Sequence, residues 1–400
     1  MLRHEAPPNS HTFPSVLKAC GRTLSTRSVK TTSYTCHSFN AQCVRRGVSS
    51  DPYVRTSFIA LYSGLGDTGS ASKVFSEIPT PCIVAHNAML DAFGRNGDVD
   101  SAFAVFLRMP ERDVYSWTTM INGYASNGCF REAIDLFSKM MVDEDVSCNL
   151  LRPNEATFVS VISSLANMDG FIALYLGKQI HGYMVRSEKE LSTFLGTALI
   201  ALYGKTGSLE YSRKVFETTA VKEVCTWNAM ICSLASNGSE IQALETFETM
   251  KRQSVAPDGV TFVGVLSACA RGELVGRGLE VFRSMCVEPR MEHYGCVVDL
   301  LGRAGMVEEA REFVEGMPLE PDGSVLGSLL GSCKVHGSVD VGGEVGRRAV
   351  ESFPHCGRYV LMWSIYAAAG RWDRAAELRK EMVRAGIKKV PAFSGVTDSG

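Results

Sequence analysis

The chain has 400 residues, of which 45% are apolar, and its 41 basic and 43 acidic side chains leave a formal net charge of −2. No uncharged apolar run reaches the roughly 18 residues of a membrane-spanning helix, which excludes that class. A balance so close to neutral argues against holding nucleic acid mainly through phosphate contacts, while leaving room for a local basic stripe.

In chain order, residues 1–9, MLRHEAPPN, lack the amphipathic, acid-poor pattern of a transit peptide. A first helical unit is predicted over 10–51. Its middle, Thr23 to Asn40, is swollen with Ser and Thr and predicts a distorted second helix. Units follow at 52–82, 83–113 and 114–154. Their second helices share an A-x-x-x-F core: Ala71 to Phe75, Ala102 to Phe106 and Ala133 to Phe137. The acidic, aperiodic stretch Val142 to Leu150 predicts an exposed loop at the end of the third of these.

After units at 155–192 and 193–223, the most regular unit spans 224–258. Trp227, Met230, Ile231 and Leu234 recur at helical spacing on one face. Asn237-Gly238 ends that helix, because both residues tolerate the left-handed conformation. Ser239 with Gln242 predicts a capping box for a second helix. Ile241, Leu244, Phe247 and Met250 form its apolar stripe, and Pro257 follows its end. Further units are placed at 259–290, 291–322, 323–355 and 356–390. Residues 391–400 form a tail.

The glycine that ends each first helix recurs as Gly66, Gly97, Gly128, Gly207, Gly238, Gly305, Gly337 and Gly370. These lie 31, 31, 79, 31, 67, 32 and 33 residues apart. The two long gaps each hold one more unit with a weaker turn. Two short helices cannot bury both of their stripes alone, so such a period predicts an all-α solenoid of stacked antiparallel helix-turn-helix repeats.

The units resemble pentatricopeptide repeats of the plant type with alternating lengths. VYSWTTMINGYASNG from Val114 and VCTWNAMICSLASNG from Val224 resemble the ordinary unit. TFVSVISSLA from Thr157, GVTFVGVLSACA from Gly259 and HTFPSVLKAC from His11 resemble the long variant. TALIALYGKTGSLEYSRKVFE from Thr197 resembles the short one, and the stretch from Met291 to Asp322 the last short unit of that subfamily. Residues 323–390 resemble its C-terminal E-type extension of two units. The resemblance implies a right-handed superhelix that binds single-stranded RNA in mitochondria or chloroplasts. It also implies site recognition for C-to-U editing.

In such an array one base per unit is read by two or three side chains. The residue after the aromatic of each first helix is Thr56, Asn87, Thr118, Thr197 or Asn228 in five units, short polar groups suited to a base edge. It is Pro14, Val159, Val263 or Gly295 in others. The resemblance pairs each reader with the last residue of its unit: Thr56 with Cys82, Asn87 with Asp113, Thr118 with Asn154, Thr197 with Glu223 and Asn228 with Asp258. It further implies uracil for Asn–Asp, adenine for Thr–Asn, and U-A-N-N-U, 5′ to 3′, across 83–258. Val84, Tyr115, Phe194, Cys225 and Val260, two residues before the aromatic, are placed to pack on base faces. Trp117 and Trp227 fall in the apolar stripe and read as core.

An Asn or Thr near a helix start is, taken singly, more often a cap than a ligand. Arg95, Lys205, Arg271 and Arg303, at equivalent places near first-helix ends, are either a basic stripe or a solvated face. No C-x-x-C and no H-x-E occurs, so no metal, cofactor or catalytic residue is expected, and a deaminase or accessory factor would act in trans through 323–390. Most of the cysteines sit in apolar stripes (Cys20, Cys232, Cys269, Cys296, Cys333) and read as small buried hydrophobes. His293 and Cys296 likewise read as core, and Leu326 stands where the first extension unit lacks its aromatic. Two other outcomes stay open: RNA stabilisation, splicing or translation, and a tetratricopeptide-like scaffold for protein partners.

Overall fold

The computed structural model describes residues 12–22, 38–48, 51–142, 152–168, 170–187 and 191–388. The Ser/Thr-rich segment up to residue 37, the insertion after Val142 and the tail after residue 388 lie outside the described residues. The chain divides into two compact units, residues 1–202 and 203–400, and each is described by itself.

Both are built from helical hairpins. In the first, Pro52–Gly64 turns into Thr68–Ser76, Ile83–Arg95 into Val99–Arg108, and Val114–Ser126 into Phe130–Val142. In the second, Val224–Ser236 turns into Glu240–Arg252, Gly259–Arg271 into Val275–Arg283, Met291–Arg303 into Val307–Glu315, Gly323–His336 into Val339–Ser352, and Cys356–Ala368 into Trp372–Arg384. Within each unit, first helices pack on first helices of the next hairpin. No helix among the described residues is long and apolar enough to cross a membrane.

Local chemistry starts and stops these helices. Asp51, Asp113, Asn154, Asp258 and Asp322 cap first helices, each accepting from amides two or three residues on. The caps satisfy donors that a helix start leaves orphaned. At the other end the backbone turns left-handed at the marker glycines, as at Gly97 (φ 84°) and Gly238 (φ 72°). Just before them, Asn96, Asn127 and Asn237 each donate back to a carbonyl of their own helix. Each also donates to a carbonyl of the preceding first helix: Ser63, Gly94 and Gly204. One side chain therefore closes its own turn and ties it to its neighbour.

The aromatic at the fourth position of a first helix packs on the second helix of the preceding hairpin. Trp117 meets Phe106 and Trp227 meets Phe216, each edge-on at 5.0 Å. Phe158 on Phe137, Phe262 on Phe247 and Tyr294 on Phe282 repeat the geometry. His86 takes the same place against Phe75, and Leu326 is buried at the equivalent site of its hairpin.

Two local expectations are corrected. Ser239 makes no side-chain cap, and Gln242 instead accepts from Arg213 of the preceding hairpin. Ile241 is exposed; the buried stripe runs Ala243, Phe247, Met250. Ile241 lies two residues from Ala243, which turns it to the opposite side of the helix. The thiols of Cys43, Cys269 and Cys333 are buried, and burial pushes each up to about 11. Such thiols stay protonated at neutral pH and act as packing groups.

Candidate nucleic-acid interface

The residues expected to read bases sit at the fifth position of their first helices, one turn inside the cap. The last residue of the same unit is the N-cap of the next first helix. Helix-on-helix packing carries that cap to the reader, so two residues about a repeat apart in sequence meet.

At Asn228 the arrangement is complete. Its Nδ2 donates to Asp258 at 2.9 Å, and its Oδ1 accepts from the Thr261 hydroxyl at 2.6 Å. Asp258 also accepts from the Thr261 amide at 2.9 Å. A carboxylate only accepts, so it fixes which end of the Asn228 amide faces it. Partial burial pushes the Asp258 carboxyl up, but bonds from the Thr261 amide, the Asn228 amide, the Thr261 hydroxyl and the Val260 amide outweigh it. The carboxyl therefore sits below its usual range.

That shift has a sign. A depressed carboxyl contributes stability that is present above its unfolded value, about 3.9, and is lost as pH falls through the folded one. Unfolding of the chain and of its Asp258→Asn variant, followed against pH, is expected to show a gap that is constant near neutrality. The gap closes only below that value. A gap that changes between pH 6 and 8 would refute the assignment, since the group titrates on the acid side.

At Thr118 the hydroxyl meets the Thr157 hydroxyl at 2.6 Å, and Thr157 donates to Asn154 at 2.9 Å. Thr118 also bonds back to the Val114 carbonyl at 2.7 Å. At Asn87 the contact is looser. Nδ2 reaches Asp113 at 3.4 Å, the Ser116 hydroxyl bonds Asp113 at 2.8 Å, and Asn87 Oδ1 is buried with no hydrogen-bond partner.

Of the other two expected pairs, Thr56 and Cys82 are not joined by a hydrogen bond. Thr56 turns back to the Pro52 carbonyl at 2.7 Å, and Cys82, exposed, makes no side-chain cap. A hydroxyl and a thiol are both short, and the helix carbonyl is nearer to Thr56. Thr197 and Glu223 belong to different compact units. Thr197 is half-buried, and Glu223 is exposed with no side-chain cap.

Beside the readers stand the second-position side chains. Val84, Tyr115, Phe194 and Val260 are exposed, with Tyr115 and Phe194 at 62% each, while Cys225 is half-buried. Three residues apart on a helix means one face, so each flanks its reader. Tyr53, at 74% exposure, holds the same position and was missed, because the anchor two residues on is Arg55 and not an aromatic. The hydroxyls of Ser116, Thr157 and Thr261 were missed as well. Their only sequence signal is a Ser or Thr three residues after a capping Asp or Asn.

Charge along this surface is modest. Arg95 pairs with Asp91 and Arg303 with Asp299, each at 2.8 Å, one helical turn apart. These two of the four basic positions are thus partly neutralised, and Arg271 is exposed. Where the reader is Gly295, a groove of about 420 Å³ opens among Glu292, Asp299, Asp322 and Ser328. His293 there serves as a cap. Its Nδ1 accepts from the Arg290 amide and its Nε2 donates to the Gly259 carbonyl, both at 2.9 Å.

A hairpin array with a capped polar group at the fifth position of three of its first helices defines an α-helical repeat protein. Family comparison agrees. Models of the PPR repeat match residues 84–114, 115–144 and 292–320, the PPR repeat family model matches 222–271, and the E motif model matches 352–397. A pentatricopeptide repeat-containing protein of Arabidopsis thaliana is 47% identical over 402 residues, covering 99% of this chain and 84% of that one. A second from the same plant, named chloroplastic, is 42% identical, covering 99% of this chain and 70% of that one. The chain belongs to the pentatricopeptide repeat family, in the class that carries an E motif. Among solved structures, PPR10 from maize superposes with a TM-score of 0.53 at 20% identity, over 97% of this chain and 60% of that one. PPR10 in complex with an 18-nt psaJ RNA element gives 0.62 at 15% identity, over 97% and 65%. At such identity the likeness is one of fold.

Proposed function

We propose that the chain is a sequence-specific single-stranded RNA-binding protein of an organelle, and that it marks a site for C-to-U editing while a deaminase acts in trans. The observation that carries this reading is the repeated juxtaposition of reader and cap: Asn87 with Asp113, Asn228 with Asp258, and Thr118 with Asn154 through the Thr157 hydroxyl. Each offers a base edge a polar group whose orientation is set by a neighbour, which is what one-base-per-repeat recognition requires. The exposed second-position side chains add faces for stacking, worth about 1–3 kcal/mol per base where they are aromatic. The neutral surface fits affinity drawn from bases more than from phosphates. Two relatives are named chloroplastic and mitochondrial, and one fold neighbour was solved with RNA. The editing assignment and the trans partner rest on the E motif at 352–397.

Equilibrium retention of a randomised single-stranded RNA pool on the purified chain, at two salt concentrations, is the test. Enrichment of U-A-N-N-U at both salts is expected. Salt-sensitive retention without enrichment refutes sequence reading, and capture of protein with no RNA retained points to a scaffold.

A further inference from the structure

We propose that the hydroxyl residue three positions after the capping Asp113 and Asp258 is a positioning residue for base readout, and that Ser116 and Thr261 make two identical Asn–Asp pairs unequal. The inference rests on the RNA-reading assignment above and deepens it.

The two sites share reader and cap and differ in the third residue. At the second site the single Thr261 hydroxyl proton lies between Asn228 Oδ1 at 2.6 Å and Asp258 at 2.9 Å, and the shorter contact gives the Asn228 acceptor a donor. At the first, Ser116 spends its hydroxyl on Asp113, and Asn87 Oδ1 is left buried without a donor. A β-branched Thr has few side-chain rotamers, so its hydroxyl stays aimed where the packing puts it, whereas Ser turns freely. As whole residues, Asn87 is 5% exposed and Asn228 7%. A base therefore meets an amide drawn partly out of its pocket. At Asn228 that movement breaks the bonds to Thr261 and Asp258. At Asn87 it breaks one long bond and releases an acceptor that had no donor.

Uracil offers an N–H to that acceptor; cytosine presents a lone pair in its place. Turning over to suit cytosine aims the amide oxygen at the neighbouring carboxylate, which disfavours that orientation at both sites. An unpaired buried acceptor is costly, and a ligand that supplies its donor recovers that cost. Asn87 thus separates uracil from cytosine more sharply than Asn228 does. Thr157, bonded to both Thr118 and Asn154, shows that a threonine fits this register in the same compact unit as Ser116.

The test uses the full chain and U-A-N-N-U RNA with cytosine replacing either the first or the last uracil. In the unaltered protein the affinity lost on replacing the first uracil is expected to exceed that for the last. Ser116→Thr should shrink the first ratio, and Thr261→Ser should raise the last, each by about fivefold. A role confined to folding would move the unfolding midpoint and affinity for every sequence, but not one ratio alone. Equal ratios at the two bases, or ratios unmoved by the exchange, overturn the inference and leave the reader assignment standing. No uracil preference at either base overturns both.

Discussion

Asn228→Thr is expected to shift the preferred base at its site from uracil toward guanine, with a relative affinity change of about tenfold or more. The cause is the geometry of the pair. In the unaltered chain Asp258 is occupied by the Asn228 amide at 2.9 Å, and Asn228 supplies the groups a base meets. A shorter hydroxyl removes that amide donor and frees the carboxylate to accept. Guanine carries two N–H donors on its Watson–Crick edge and uracil only one, so the freed acceptor favours guanine. The Thr118 site shows that a threonine is accommodated at this helix position, where it bonds back to the carbonyl four residues earlier. Fold is therefore expected to survive. Affinities for the four RNAs that differ only at the last base of U-A-N-N-U decide the matter, with the first base as internal control. A variant that binds and still prefers uracil there would show that Asn228 does not read the base.

Trp227→Ala is expected to destabilise the second compact unit by about 3–5 kcal/mol, and Trp227→Phe by far less, within about 1.5 kcal/mol. Trp227 is 2% exposed and packs edge-on against Phe216, so truncation to alanine leaves a large cavity between consecutive hairpins. The indole Nε1 is buried with no hydrogen-bond partner. Phenylalanine keeps the ring contact and removes that donor, whose burial costs about 1–3 kcal/mol. The gain offsets much of the lost volume. Denaturant unfolding at constant m-value measures both. Equal losses for the two variants would mean that the indole donor carries no penalty.

The hairpins were legible because their signals are local. Helical spacing at Trp227, Met230, Ile231 and Leu234 and the glycine at the left-handed turn each act within a few residues. The same locality explains the two weak turns. In one the left-handed residue is Glu273, with φ 54°, one place after Gly272, and in the other it is Gly170, with φ 91°, away from the usual register. A glycine marker keyed to one position passes over both. The neutralisation of Arg95 by Asp91 was also within reach of the sequence, since carboxylate and guanidinium stand four residues apart on one helix. Ile241 and Ser239 were misassigned for a different reason. Either residue type suits the role expected of it, and only the neighbouring hairpin decides which face is covered and which side chain takes Gln242.

The sequence by itself determined that this chain is a row of helical hairpins, and which residue stands at the fifth position of each first helix. Those properties follow from turns, caps and periodicity, whose range is shorter than one repeat. The tertiary structure alone decided how each reader is held. The bond from Asn228 to Asp258 and the one from Thr261 to Asn228 cross from one first helix to the next, over 30 and 33 residues of chain. Whether a buried amide oxygen finds a donor, as at Asn228, or does not, as at Asn87, depends on the spacing of packed helices and on a rotamer, and neither is written in the order of residues.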